Sequence, residues 1–166
     1  AGTNHYLVEI GGEVRTRGSK SSGQPWAVGI ETPDGGPQDS ARVIPLSGRS
    51  LATSGNYRNL RAVDGRTVTH IIDPRSGEPV EHGLGSVSVI ADSCAEADAL
   101  ATGLYVLGWE EGFALAESEG IAALFLRTLP PGAKGSGSTE ERATATFPAP
   151  HAGHEDPTKA LGSEAA

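Results

Sequence analysis

The tetrapeptide Ser93-Cys94-Ala95-Glu96 constrains the architecture of this chain more than any other stretch. A serine with a glutamate three residues on is a capping box, in which the two side chains satisfy backbone N–H groups that a helix leaves open at its start. Behind it, Ala97, Leu100, Ala101, Leu104, Tyr105 and Leu107 recur at helical spacing as a broad apolar stripe. Gly108 suits a left-handed stop. A second, shorter helix is predicted from about Glu110 to Glu119, ending at Gly120, and Ile121 to Leu126 reads as a buried strand.

Everything before the cap reads as strand and turn. Tyr6 to Ile10 favours β structure and ends at Gly11-Gly12, a turn or close backbone approach, with Glu13 to Gly18 continuing the strand past a bulge. Trp26 to Ile30 is the next strand, closed by the turn chemistry of Thr32-Pro33-Asp34-Gly35-Gly36. Ala41 to Leu46 and Ser50 to Thr53 read as a hairpin-like pair. Thr67 to Ile72 alternates polar and apolar residues before Asp73-Pro74, where proline ends the ladder. Ser86 to Ala91 alternates more clearly, with Val87 and Val89 on one face. Strands in series followed by helices predict an α+β fold, with a mixed or antiparallel sheet packed by a few helices.

Domain limits follow from a change in composition at Pro130. Residues 1–129 form the predicted domain, 130–138 a Gly/Ser/Pro linker, 139–147 a last edge strand centred on Arg142 to Phe147, and 148–166 a disordered tail. Apolar residues make up only 37% of the 166, and many of the 23 glycines and 11 prolines gather in loops and tail, so the packed part is smaller than the length suggests. With 21 acidic against 13 basic side chains and a net charge of −8, the chain offers no electropositive face for nucleic acid or an anionic membrane. An anionic ligand would need a metal to bridge it. The single cysteine, Cys94, excludes an intrachain disulfide and a cysteine zinc cage. No apolar run reaches the roughly 18 residues of a membrane span. The first residues lead at once into a strand, as if in mid-domain, so a targeting segment further upstream would lie outside this sequence.

Three groups of residues carry candidate chemistry. Asp98 and Thr102 stand at i and i+4, which puts their oxygens on one helix face in adjacent turns. A carboxylate with a hydroxyl is a hard-oxygen pair suited to Mg²⁺, which retains waters and takes phosphate oxygens as further ligands. Equally, Thr102 can bond back to a carbonyl one turn earlier, and Asp98 can serve the helix dipole. His70 at a strand end can act as a general base, although a lone strand histidine is more often structural. Asp73 before Pro74 suits an Asx turn. The run from Ala52 to Arg58, with Ser54, Gly55 and Tyr57, places small residues at a turn where backbone N–H groups can approach a ligand, and is also what a polar hairpin end looks like. No dinucleotide GxGxxG, P-loop, HExxH, GxSxG or CxxC motif is present. His151 to Asp156 resembles a metal cluster on paper, but it falls in the predicted tail without a packed shell to fix it.

Taken in series, VEIGGEVRTRG (8–18), WAVGIETP (26–33), LATSGNYR (51–58), GRTVTHIIDPRSGEPV (65–80), SVSVIA (86–91) and CAEADALATGLYVLG (94–108) resemble the C-terminal half of the ApbE family, the FAD:protein FMN transferases. The resemblance covers about 120 residues and implies a partial ApbE-like, T-fold-like domain. It implies Mg²⁺-dependent transfer of FMN from FAD, the substrate, to a threonine or serine hydroxyl of an acceptor protein. The alternatives are FAD pyrophosphatase activity giving FMN and AMP, and a non-catalytic flavin-binding or interaction module. By the same resemblance Asp98 and Thr102 match Mg²⁺ ligands and His70 the histidine of the transfer step. Ile72 matches a flavin-contacting position, while Ser54, Gly55 and Tyr57 belong to the wall near the nucleotide. The family's N-terminal half would supply further contacts, so association with such a half, or with a second copy, is expected. The family resemblance implies a periplasmic or membrane-anchored extracytoplasmic location, with the cytoplasm the alternative.

Overall fold

The computed structural model describes residues 2–33, 40–55, 61–63, 66–129 and 138–151, with the backbone alone described for 61–63 and 66–68. The elements are β1 (Tyr6–Ile10), β2 (Glu13–Arg17), β3 (Trp26–Glu31), β4 (Ser40–Leu46), β5 (Ser50–Gly55), β6 (Arg61–Val63), β7 (Arg66–Val68), β8 (Leu84–Ala91), α1 (Cys94–Ser118), β9 (Ala122–Thr128) and β10 (Thr139–Ala143). Six strands form one sheet in the order β1-β2-β5-β8-β9-β10; β3-β4 and β6-β7 make separate two-stranded ribbons. Every described pairing of these strands is antiparallel. The class is α+β, as the sequence predicts.

Three layers result, with the six-stranded sheet in the middle. Along β9, Ala123 and Phe125 face the helix while Leu124 and Leu126 face the β3-β4 ribbon, and all four are fully buried. Each leucine or phenylalanine so placed contributes about 1.5–3 kcal/mol relative to exposure. On the ribbon side Val28, Ile30, Ile44 and Leu46 close over Val14, Leu51 and Ile90. On the helix side Leu104 and Tyr105 cover Val87, Val89 and Leu84. Burial on both faces makes β8 a continuous buried run, not the half-exposed strand that alternation at Val87 and Val89 suggests.

The helix begins as its capping box dictates, with the Ser93 hydroxyl accepting from the Glu96 N–H at 3.2 Å. Two helices meet within α1 as the sequence predicts, the first ending where Gly108 leaves helical geometry at φ 83°, ψ −169°. Among the described residues no helix is long and apolar enough to cross a membrane.

Several pairings differ from those the sequence suggests. Gly11 and Gly12 both take positive φ, 72° and 109°, and join Ile10 to Glu13 as a two-residue hairpin loop instead of a bulge. Ala41 to Leu46 and Ser50 to Thr53 are not partners: β4 pairs with β3, while β5 inserts between β2 and β8. The turn at Gly48 (φ 71°) carries the chain from one layer to another, and its Ser47 hydroxyl donates to the Gly18 carbonyl. The strand predicted to Ile72 stops at Val68, and Ile72 makes only an isolated bridge to Pro79.

Near the C-terminus, β10 spans Thr139–Ala143 and lies at the sheet edge beside β9. A turn from Thr144 then drops Phe147 into the ribbon-side core. The His151 N–H donates to the Val43 carbonyl at 2.8 Å, so the chain at His151, within the predicted tail, is tied to β4. Most of the predicted linker (130–137) and tail (152–166) lies outside the described residues.

Candidate functional site

The alternation of burial around Ile71 builds one wall of the site. Thr69 and Ile71 are 7% exposed, and Ile71 sits in the helix-side core with its N–H bonded to the Thr69 hydroxyl at 3.3 Å. With its neighbours pinned inward, His70 projects outward, and Ile72 stands 48% exposed on the other side of the anchor. A compact turn follows. Asp73 bonds to Glu78 and Gly77 through its backbone, and its carboxylate accepts from the Arg75 N–H at 2.8 Å. The Arg75 guanidinium holds the Asp73 carboxyl below its ordinary value, and Asp73 raises Arg75 in return. Asp73 therefore works as the turn former its position before proline suggests.

The second wall is where α1 crosses β5. Ser54 points from β5 under the helix, and its hydroxyl shares a hydrogen bond of 2.8 Å with the Thr102 hydroxyl. Thr53, on the opposite face, bonds to Ser88 instead. Thr102 is thus held by a cross-element contact to Ser54. Asp98 lies one turn before it and is exposed.

These walls enclose one cavity of about 830 Å³, within the range of ligand sites. Ser54, Gly55, His70, Ile72, Asp98 and Thr102 all line it, so six of the seven predicted site residues meet in one place. Tyr57 lies outside the described residues. The sequence did not reveal the remaining walls. Leu7, Gly11 and Gly12 come from the β1-β2 hairpin, and Val28 and Ile30 from β3. Only three-dimensional layering brings them together, and a strand pattern carries no signal of it.

The chemistry of the donor set can be tested against a cation. Asp98, Thr102 and Ser54 offer one carboxylate and two hydroxyls, all hard oxygens, which fits Mg²⁺ completed by water and ligand phosphate. Among the described residues no three His, Cys, Asp or Glu side chains converge, so nothing there resembles the nitrogen-sulfur cage of zinc. The described residues lining the cavity include Glu9, Glu13, Glu31 and Asp98 and no lysine or arginine.

Known proteins similar to this chain belong to one family. The ApbE family model matches residues 1–125. The FAD:protein FMN transferase of Salmonella typhimurium is 41% identical over 125 residues, covering 75% of this chain and 36% of that protein. Its counterpart in Vibrio cholerae is 43% identical over 125 residues, with 75% and 37% covered. Among solved structures, the apo flavinyl transferase ApbE of Pseudomonas stutzeri superposes with a TM-score of 0.70 at 41% identity, covering 86% of this chain and 42% of that one. The flavin transferase ApbE of Vibrio cholerae gives 0.69 at 39% identity, covering 87% and 43%. The chain spans about a third of the length of the curated relatives it matches.

Proposed function

Because the chain belongs to the ApbE family, we propose that it contributes the metal-facing and histidine-bearing part of an FAD:protein FMN transferase. One observation carries the reading: the hydroxyls of Ser54 and Thr102, the Asp98 carboxylate and the His70 imidazole open onto a single cavity. The substrate is FAD, and the acceptor is a threonine or serine hydroxyl of another protein.

Each residue then has a task its position suits. Asp98 and Thr102 would hold Mg²⁺, with Ser54 fixing the Thr102 hydroxyl from behind. When bound, the ion neutralises the FAD diphosphate and the charge on the departing AMP. The exposed side chain of Ile72 supplies apolar surface for the flavin ring. His70 takes the proton of the acceptor hydroxyl at an imidazole nitrogen. The acceptor oxygen forms a bond to the FMN phosphorus, and the bond from that phosphorus to the bridging oxygen breaks. AMP leaves with the electron pair.

The test uses two proteins, the chain itself and a hybrid in which residues 1–125 replace the aligned segment of the Salmonella typhimurium relative. Each is incubated with FAD, Mg²⁺ and a threonine-containing acceptor, and acceptor mass is followed. The expected result is a covalent FMN adduct that disappears on chelation and in Asp98→Ala and His70→Ala hybrids. Free FMN and AMP without adduct would reassign the site to FAD hydrolysis. Adduct formation indifferent to both substitutions would overturn these assignments.

A further inference from the structure

His70 and Ile72 sit at the base of a narrow hairpin, and beside the apolar anchor Ile71 a histidine outside the cavity ties that hairpin to the helix. Val80 N–H donates to the Ile71 carbonyl at 3.0 Å, and Asp73 N–H to the Glu78 carbonyl at 2.9 Å. Past Val80 the chain reaches His82, whose Nε2 lies 2.8 Å from the Tyr105 carbonyl. A carbonyl only accepts, so Nε2 carries the proton that makes this bond. Nδ1 is buried with no partner among the described residues, so Nε2 is the nitrogen through which the ring acts.

The Tyr105 carbonyl needs this donor because of the break at Gly108. Carbonyls in the last turn of a helix have no N–H ahead of them, and the first half of α1 ends where Gly108 leaves helical geometry. The His82 ring lies against this break, at ordinary contact distance from where a Gly108 Cβ would stand, and the positive φ of 83° is what favours glycine there. The two rings pack at 4.9 Å between centroids, and the Tyr105 hydroxyl donates to the Leu84 carbonyl at 3.0 Å. Tyr105 therefore grips the chain at both His82 and Leu84. It follows Asp98 and Thr102 at i+7 and i+3, on the same helix stripe.

Apolar packing of Ile71 and Val80 against the helix-side core also joins the hairpin to the helix, but of the described polar contacts between them the one from His82 is part-buried. A cleft of about 450 Å³, lined by Asp73, Arg75, Pro79, His82, Val106 and Glu111 among others, opens between them. Across it the Arg75–Glu111 pair is 3.7 Å apart and exposed, so it contributes little.

We propose that His82 is a positioning residue: its Nε2–H locks the hairpin bearing His70 and Ile72 onto the helix bearing Asp98 and Thr102. It thereby sets the distance from imidazole to oxygen pair. The catalytic consequence rests on the flavin-transfer reading above; the mechanical one does not. Misplacing a reacting group by about 1 Å can cost on the order of 100-fold in rate.

Spin labels at Glu78→Cys and Ala99→Cys, in a Cys94→Ser background of the full chain, report the hairpin-to-helix distance. His82→Phe keeps the ring without the donor, and His82→Asn sets its donor too short to reach. Both should broaden the distance distribution, while His82→Gln, which puts an amide N–H near the Nε2 position, should restore it. In the hybrid transferase the same pair should lower kcat by about 10- to 100-fold with KM for FAD nearly unchanged, again rescued by glutamine. A distribution that stays narrow in the Phe and Asn variants, or broadens equally in the Gln variant, overturns the latch. Broadening with undiminished kcat overturns its role in positioning. If the unmutated hybrid transfers no FMN, the flavin reading falls and the distances alone decide the latch.

Discussion

The same substitution at two glycines of α1 should have opposite effects. Replacing glycine by alanine inside a helix gains about 1 kcal/mol, because the backbone loses less freedom on folding. At Gly103 a new Cβ meets nothing within 4 Å, so Gly103→Ala should stabilise the chain by about 0.5–1 kcal/mol. At Gly112 the Cβ would stand 2.5 Å from the Leu104 carbonyl oxygen, with Phe125 Cε1 at 3.2 Å and the Leu104 carbonyl carbon at 3.3 Å. The nearest atom is backbone and cannot rotate aside, so the two halves of the broken helix must part. Overpacking of this kind costs about 1–3 kcal/mol, which outweighs the propensity gain in most of that range. The expected net loss for Gly112→Ala is up to about 2 kcal/mol, or up to roughly 8 °C in Tm for a domain of this size. Urea melts of the two variants would measure it as shifts of midpoint at constant m. Stabilisation by Gly112→Ala, or equal shifts at both positions, would refute the claim that the break at Gly108 folds the helix back against Leu104.

Two further outcomes follow from burial. Desolvation pushes the Tyr105 phenol up to about 12 from its ordinary 10.0. The folded state thus favours the protonated form, and the stability this supplies is intact below pH 10 and lost as pH rises towards 12. Relative to wild type, Tyr105→Phe should flatten the fall in unfolding free energy across that window, measured by denaturant melts at stepped pH. Phe147 is 7% exposed in the ribbon-side core, so Phe147→Ala should cost about 3 kcal/mol or more, and Phe147→Leu markedly less, by the same melts.

Local signals were legible and non-local ones were not. The capping box set the start of α1, and the i, i+4 spacing put Asp98 and Thr102 in adjacent turns, because both depend only on neighbours along the chain. The fold class followed from strands in series before that helix. The pairing of Ala41–Leu46 with Ser50–Thr53 failed because nearness in sequence was read as partnership, whereas the Gly48 turn changes layers. The bond from Ser54 to Thr102 spans 48 positions, and no spacing rule reaches that far. His82 carried no signal at all. Its role emerges only once Gly108 is seen to leave a carbonyl open beside it.

Charge ties the proposed ligand to the proposed cation. A flavin dinucleotide brings a diphosphate, yet Glu9, Glu13, Glu31 and Asp98 line the cavity without a lysine or arginine among its described residues. At about 4 Å two like charges repel by roughly 4 kcal/mol at an effective dielectric of 20. Without a counter-charge, the described surface would therefore hold an uncharged flavin better than FAD. A divalent ion on Asp98 and Thr102 reverses the sign at the one point where the diphosphate would lie. Riboflavin and FAD binding, compared with and without Mg²⁺, separates the two cases. Only FAD should gain affinity from the ion, and Asp98→Asn should erase the gain while leaving riboflavin untouched. Equal FAD affinity with and without Mg²⁺ would mean that some other positive charge meets the diphosphate, and the metal assignment would fall with it.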